Sequence, residues 1–166
     1  MRYTELTEKI QNFLVERGLT LATAESCTVG KIASELTSVP GSSAYFIGSI
    51  VAYQNYIKTG LLGVEQKDID KYDVVSKQVV EQMVIGACKL FKSDFAISTS
   101  GCAGPGGGTD AIPVGTIWIA VGNDENLRTV KCTIDSGRLQ NIENAVETAL
   151  ENLLRLLEDK YTNCYS

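Results

Sequence analysis

Apolar positions recur along the chain at two spacings, which predict both helices and strands. Recurrence every three or four residues predicts helices over residues 4–17, from near Ser26 to Pro40, over 54–62 and 76–91, and from Arg138 to the end of the apolar pattern. Runs rich in β-branched residues predict strands over 19–24, 45–53, 94–100, 114–121 and 128–134, and residues 68–72 are typical of a polar connector. Because hairpin-like and crossover connections both occur, we expect an α/β fold, a three-layer sandwich whose mixed sheet has helices on both faces.

The strand over 19–24 runs into Ser26, where the pattern changes to helical. A serine there places its Oγ at the carboxyl end of a strand. The next N–H groups, those of Cys27 and Thr28, are unpaired at the positive end of a helix and suit a developing oxyanion. Serine is also a preferred residue for capping a helix, and this pattern by itself leaves that role open.

Length and charge narrow the class of protein. With 166 residues, 44% of them hydrophobic and 21% charged, the chain fits a single domain over 1–166. Its net charge of −5 argues against a nucleic-acid or anionic-membrane surface, both of which need clustered cations. The chain begins with an amphipathic helix and has no long apolar run, so we expect a cytoplasmic protein.

The chain contains no histidine. Ser-His-Asp and Cys-His catalysis are therefore impossible within it, as are most zinc sites, and we expect neither metal nor cofactor. A serine nucleophile would need a lysine, tyrosine or carboxylate as its base. The five cysteines have no C-x-x-C spacing and are typical of reduced thiols; Cys27 is a rival nucleophile, although a reactive thiolate usually needs a cationic partner.

Two further segments are candidates for binding an anion. The strand that ends near Ser100 enters a glycine-rich stretch, 101–110, whose backbone N–H groups could approach a ligand closely; a flexible hairpin connector is the alternative. Arg138 stands at the entrance of the last helix, where it could bind a phosphate or pair with a carboxylate.

Five ordered blocks then carry a resemblance. They are Ala24-Glu25-Ser26-Cys27-Thr28-x-Gly30, Pro40-Gly41-Ser42-Ser43-Ala44, Val51-x-Tyr53-x-Asn55-x-x-Lys58, Ser100-Gly101-x-Ala103-Gly104-Pro105-x-Gly107-Gly108 and Pro113-Val114-Gly115-Thr116. Together they resemble the CinA C-terminal domain family, in its stand-alone form. That family includes amidases of pyridine nucleotide salvage, which hydrolyse nicotinamide mononucleotide to nicotinate mononucleotide and ammonia without a cofactor.

The resemblance implies roles for particular residues. It makes Ser26 the nucleophile and Lys58 its base, with Tyr53 beside them and the Cys27 and Thr28 N–H groups at the oxyanion. The substrate-binding positions that it implies are Ser43, Ser100, Gly101, Gly104 and Arg138. We expect Arg138 and the glycine-rich loop to bind the phosphate of a small pyridine nucleotide. A neutral Lys58 also requires a lowered pKa, through desolvation or through a nearby cation such as Arg138.

Several alternatives stay open at this stage. Lys31 is a rival base, one turn into the predicted helix. Val29 stands where the family usually has glycine, and a side chain there would narrow the pocket, so a catalytically silent nucleotide-binding or partner-binding domain is the main alternative function. An amidase of another small carboxamide is a weaker one. The ample apolar content makes a homo-oligomer plausible.

Overall fold

The computed structural model describes residues 3–162 and contains a single five-stranded sheet with helices around it. The strands are β1 (Leu21–Glu25), β2 (Phe46–Val51), β3 (Phe95–Gly101), β4 (Ile117–Gly122) and β5 (Leu127–Cys132). The helices are α1 (Thr4–Glu16), α2 (Lys31–Leu36), α3 (Asn55–Leu62), α4 (Gln66–Tyr72), α5 (Lys77–Phe91) and α6 (Arg138–Thr162), with a 3-10 turn over Ser42–Ala44.

The sheet is mixed, with the strand order β2-β1-β3-β4-β5. The first three strands in that order are parallel, and β4 and β5 add to β3 as antiparallel neighbours. Parallel pairs need long crossovers, which the helices supply, whereas β4 and β5 are joined by a short turn. The parallel strands therefore end at one edge of the sheet, and the site lies there.

Two separate hydrophobic clusters cover the two faces of the sheet. Side chains of α1 and α6 pack on one face, and side chains of α3, α4 and α5 pack on the other. The central strand β3 shows the division clearly, since Phe95 and Ile97 belong to the first cluster and Ala96 to the second. The predicted α/β sandwich with a mixed sheet and helices on both faces is confirmed.

The helix after Ser26 is shorter than predicted. It begins at Lys31 and ends at Leu36, not at Pro40. Val29 and Gly30 both have positive φ, at 49° and 83°, so a right-handed helix cannot continue through these two residues and α2 starts after them. The residues after Ser26 form a turn, which an apolar pattern alone does not distinguish from a first helical turn.

Residues 66–72 form a helix where a polar connector was predicted. In α4 only Ile69 is buried, against the cluster that also contains Val79 and Met83. A single apolar anchor produces no periodic signal, and tertiary packing decides this element.

Among residues 3–162, no helix combines the length and apolarity needed to cross a bilayer.

Candidate active site

The alternation of side chains along β1 sends two neighbouring residues to opposite faces of the sheet. Leu21 packs in the cluster under α1 and α6, and Ala24 packs in the cluster under α5. Ser26 continues the pairing with β3, because its N–H donates to the Thr99 carbonyl at 3.1 Å. Glu25 therefore points to the side of the sheet that carries α2, and Ser26 points to the side that carries α3. This is the side from which Lys58 approaches.

Lys58 reaches the serine from the first turns of α3. Its Nζ lies 3.1 Å from Ser26 Oγ, 2.7 Å from the Ala52 carbonyl oxygen and 3.2 Å from the Tyr53 carbonyl oxygen, and the residue is only 1% exposed. An uncharged amine has two N–H donors and one lone pair. The two carbonyls accept both donors, which leaves the lone pair for the hydroxyl hydrogen of Ser26.

Burial lowers the pKa of the Lys58 ammonium, because a charged group loses hydration in the interior. The neighbouring Cys27 has a smaller and opposite effect. Of the two predicted causes of this shift, desolvation is therefore the one that acts. Arg138 does not contribute to the lowered pKa, and its guanidinium donates to the Gly104 carbonyl at 2.8 Å.

Cys27 is not a competing nucleophile under ordinary conditions. Burial raises the pKa of its thiol to about 12, so it is protonated at neutral pH. Ser26, which is 9% exposed, lines the cavity together with it. The Ser26 hydroxyl, in contrast, has the Lys58 amine within hydrogen-bonding distance.

The N–H groups of Cys27 and Thr28 follow the serine and belong to the turn, not to the start of α2. Within residues 3–162 no oxygen atom accepts a hydrogen bond from either group, although the Cys27 N–H interacts with its own sulfur, so both can donate to an oxyanion. The predicted contribution of the helix start is wrong, since the N–H groups of Ile32 and Ala33 donate to the Glu25 carboxylate at 2.9 and 3.1 Å.

A cavity of about 180 Å³ opens beside the Ser26–Lys58 pair. A second cavity, of about 340 Å³, continues along the glycine-rich loop. Both are lined by Tyr53, Val74, Val75, Gly101, Ala103 and Arg138. The two cavities therefore form one cleft, with a nucleophile at its buried end and an exposed arginine farther out.

The glycine-rich loop is anchored to α6 and is not a free connector. Arg138 donates to the Gly104 carbonyl, and the buried Asn141 donates to the Ala103 carbonyl at 3.0 Å. Gly101 allows close packing as well, since a Cβ there would come within 2.6 Å of Ile117 Cγ1. The loop is held so that its backbone forms a wall of the cleft.

Most of the predicted site residues come together at this cleft. Those that line it are Ser26, Cys27, Tyr53, Lys58, Ser100, Gly101, Gly104 and Arg138. Ser100 is 2% exposed and donates to the Val74 carbonyl at 2.9 Å, which fixes the segment before α5 against β3. The half-exposed Tyr53 contacts Lys58 through its backbone carbonyl, and its side chain forms part of the wall.

Thr28 and Ser43 are the predicted residues that do not line the cleft. Thr28 is 2% exposed, and its hydroxyl lies 2.7 Å from Glu25 Oε1. Ser43 is exposed, and it precedes the start of β2, where Phe46 pairs with Leu21. Ser26 follows the other end of β1. Five strand residues separate the two ends by roughly 17 Å, so the expected role of Ser43 in binding substrate is not supported within one chain.

The two residues that left alternatives open also have clear positions. Lys31 forms an ion pair with Glu143 of α6, so it is not beside Ser26. Val29 is 52% exposed and does not line either part of the cleft, so it does not narrow the pocket. Its difference from glycine affects backbone conformation, because a β-branched residue rarely adopts a φ of +49°.

Sequence reasoning missed three buried polar residues around the site: Glu25, Thr99 and Asn141. Glu25 and Asn141 were visible only as a polar residue next to Ser26 and a polar residue inside an apolar helix pattern, which are weak signals.

Over the described residues 3–162, no three cysteine or carboxylate side chains are grouped as ligands of a metal ion would be.

The family model of the CinA C-terminal domain matches residues 3–157. A CinA-like protein of Flavobacterium psychrophilum is 44% identical over 149 residues, which cover 90% of this chain and 36% of that protein. One from Thermotoga neapolitana is 39% identical over 160 residues, covering 96% and 39%. The chain thus spans little more than a third of the length of these curated relatives.

Solved structures agree with this comparison. The competence/damage inducible protein CihA of Agrobacterium tumefaciens is similar with a TM-score of 0.89 and 37% identity, covering 92% of this chain and 94% of that one. A competence-damaged protein (CinA) superfamily protein of Escherichia coli is similar with a TM-score of 0.88 and 32% identity, covering 92% and 89%.

Proposed function

This chain belongs to the CinA C-terminal domain family, and from that premise we propose that it is a nicotinamide-nucleotide amidase. It hydrolyses the carboxamide of nicotinamide mononucleotide to nicotinate mononucleotide and ammonia, a step of pyridine nucleotide salvage, and needs no cofactor. The observation that carries the proposal is the 3.1 Å approach of the buried Lys58 Nζ to Ser26 Oγ at the closed end of a cleft.

The first step forms an acyl-enzyme. Neutral Lys58 takes the proton of Ser26 as Oγ attacks the carboxamide carbon, and the carbonyl oxygen becomes an oxyanion that accepts from the Cys27 and Thr28 N–H groups. The tetrahedral intermediate then breaks its C–N bond. Lys58 returns the proton to the nitrogen, which leaves as ammonia, and the half-exposed Tyr53 hydroxyl is a second candidate for that transfer.

The second step reverses these roles with water in place of ammonia. Lys58 deprotonates a water molecule that attacks the ester carbon, and the Ser26 oxygen leaves with that proton, which releases the carboxylic acid. This assignment of ends is supported by burial, since Ser26 and Lys58 are buried at one end of the cleft. Arg138 is exposed at the other end, beside the glycine-rich loop, where a phosphate can stay hydrated.

Ammonia release from nicotinamide mononucleotide tests the proposal directly. We expect turnover by the parent chain and a fall of at least about 10³-fold in kcat for Ser26→Ala. Nicotinamide and its riboside serve as comparison substrates, and faster release from either would identify a different small carboxamide. Equal rates for parent and Ser26→Ala, or binding of the nucleotide without any release, would overturn the assignment.

A further inference from the structure

A buried polar network extends from Ser26 away from the cleft, on the side opposite to Lys58. Its members are Glu25, Thr28 and Thr99, which are 0%, 2% and 0% exposed. Thr28 Oγ1 lies 2.7 Å from Glu25 Oε1 and 2.9 Å from Thr99 Oγ1, and the Ser26 N–H reaches Thr99 Oγ1 at 3.3 Å. None of these side chains takes part in the chemistry proposed above.

When Glu25 is a carboxylate, each hydroxyl in this network can donate its hydrogen in only one direction, toward Glu25. A carboxylate only accepts, so the single hydroxyl hydrogen of Thr28 goes to Glu25. Thr28 then accepts from the Thr99 hydroxyl. The Ser26 N–H is shared by two oxygens of Thr99, the carbonyl oxygen at 3.1 Å and Oγ1 at 3.3 Å. The result is a chain of three hydrogen bonds that begins at the nucleophile's own backbone and ends at Glu25.

Glu25 also holds the far end of the same turn. Oε1 accepts from the Ile32 N–H and Oε2 from the Ala33 N–H, so the carboxylate binds the first turn of α2 as well as Thr28. The turn between Ser26 and α2 is thus fixed at its start, its middle and its end. Those helix N–H groups are engaged by Glu25, while the Cys27 and Thr28 N–H groups stay available.

We propose that Glu25 is a positioning residue, which through Thr28 and Thr99 fixes Ser26 and the two oxyanion N–H groups in the geometry that attack requires. Misplacement of reacting groups by an ångström lowers rates strongly, whereas substrate binding at the Arg138 end does not depend on this turn. The proposal rests on Ser26 being the nucleophile proposed above, and it does not require that nicotinamide mononucleotide be the substrate.

Glu25→Gln is the direct variant, because it keeps the shape of the side chain. Each carboxylate oxygen accepts from one backbone N–H, so either orientation of the glutamine places its NH₂ against the N–H of Ile32 or Ala33. Thr28→Val is the second variant, and it tests the role of Glu25 if the Glu25→Gln protein does not fold. It removes the hydroxyl between Glu25 and Thr99 and leaves both N–H contacts of the carboxylate to α2.

Thr23→Val is the matched control. Thr23 is also fully buried, and its hydroxyl contacts Ser49 Oγ at 2.6 Å and Glu25 Oε2 at 3.2 Å, but it lies outside the chain of bonds that leads to Ser26. Comparing this variant with Thr28→Val therefore separates the loss of any hydroxyl at the carboxylate from the loss of the one that connects to the nucleophile.

Two measurements test the proposal on folded protein. For Glu25→Gln and Thr28→Val we expect kcat for nicotinamide mononucleotide to fall about 10- to 100-fold, with KM and the midpoint of the pH profile unchanged because Lys58 is intact. Labelling of Ser26 by a fluorophosphonate, in which Oγ attacks phosphorus and displaces fluoride, should slow by a similar factor. Thr23→Val should stay within about twofold of the parent in both measurements.

The labelling measurement tests the role of Glu25 independently of the proposed amidase activity, because labelling of Ser26 does not require release of ammonia. A parent that labels at Ser26 but releases no ammonia contradicts the amidase assignment, and the variants are then compared by labelling alone. Parent-like kcat and labelling in Thr28→Val, or an equal loss in Thr28→Val and Thr23→Val, would overturn the role of Glu25. A loss confined to KM would overturn it as well.

Discussion

The two ends of the cleft are built in different ways. At the Ser26–Lys58 end the side chains are buried, and backbone carbonyls and a hydroxyl surround the lysine nitrogen. At the other end Arg138 is exposed and the wall is the backbone of a glycine-rich loop. Desolvation activates a base, whereas a phosphate is bound well by a guanidinium and N–H groups near water.

Under the proposed function, this difference predicts that reaction and recognition are separable in this fold. Variants at the buried end should change kcat, because they alter the groups that act in the transition state. Variants at the exposed end should change KM, because they alter binding that substrate and transition state share. The following predictions test this division between effects on kcat and effects on KM.

The largest effect is expected at Lys58. Lys58→Met removes the base while it keeps much of the buried volume, and we expect kcat to fall about 10³-fold. Lys31→Met is the matched control, since Lys31 is a lysine of the same region that pairs with Glu143, and its kcat should stay close to the parent value. Ammonia release measures both; activity lost only in Lys31→Met would make Lys31 the base.

The next largest effect is expected in the pH dependence of kcat/KM for the parent protein. Lys58 acts as a base only when neutral, and burial lowers its pKa below the ordinary value of 10.5, so the neutral fraction at a given pH is larger than for an exposed lysine. We expect kcat/KM to rise about tenfold per pH unit on the acid side of the profile and to level off below pH 10.5.

A pH–rate profile measured on protein shown to stay folded over that range tests this directly. A rise that continues to pH 10.5 or beyond would contradict the desolvated base, as would a rate that falls with increasing pH through the same interval.

A moderate effect is expected at the exposed end. Arg138→Gln removes a charge that can pair with the phosphate, and a charge-assisted hydrogen bond of about 1.4 kcal/mol corresponds to a tenfold rise in KM for nicotinamide mononucleotide. We expect kcat to change by less than about threefold. Arg155→Gln, an exposed arginine elsewhere on α6, is the control; an unchanged KM in Arg138→Gln would remove this residue from phosphate binding.

The smallest effect concerns stability at the turn beside Ser26. Val29 has a φ of +49°, and relieving a β-branched residue of that conformation with Val29→Gly should raise the free energy of unfolding by about 1 kcal/mol. For a chain of this size that corresponds to a rise of about 2–4 °C in Tm. Thermal unfolding measures it, with Val29→Ala expected to gain less because alanine keeps its Cβ.

Val29→Gly also tests the position of the side chain. Because Val29 lies outside the cleft lining, kcat and KM should both remain near the parent values. A large gain in activity would show that the side chain obstructs the cleft.

The sequence by itself determined the order of the main elements and the class of the site. Hydrophobic spacing is a local property of the chain, so α1, α5 and α6 were predicted close to their bounds. The absence of histidine and the serine at a strand end are also readable without coordinates, and they predicted a hydroxyl with a lysine, tyrosine or carboxylate as its base. The resemblance then selected Lys58 over Lys31.

Only the tertiary structure decided which distant groups meet. Ser26 and Lys58 are 32 positions apart in sequence and are brought together by the pairing of β2 with β1, while strand alternation sends Ser26 to one face and Glu25 to the other. The same pairing puts Ser43 at the wrong end of the sheet. Contacts of this kind, and the desolvation that tunes Lys58, depend on packing across the whole sheet, which no local pattern of residues encodes.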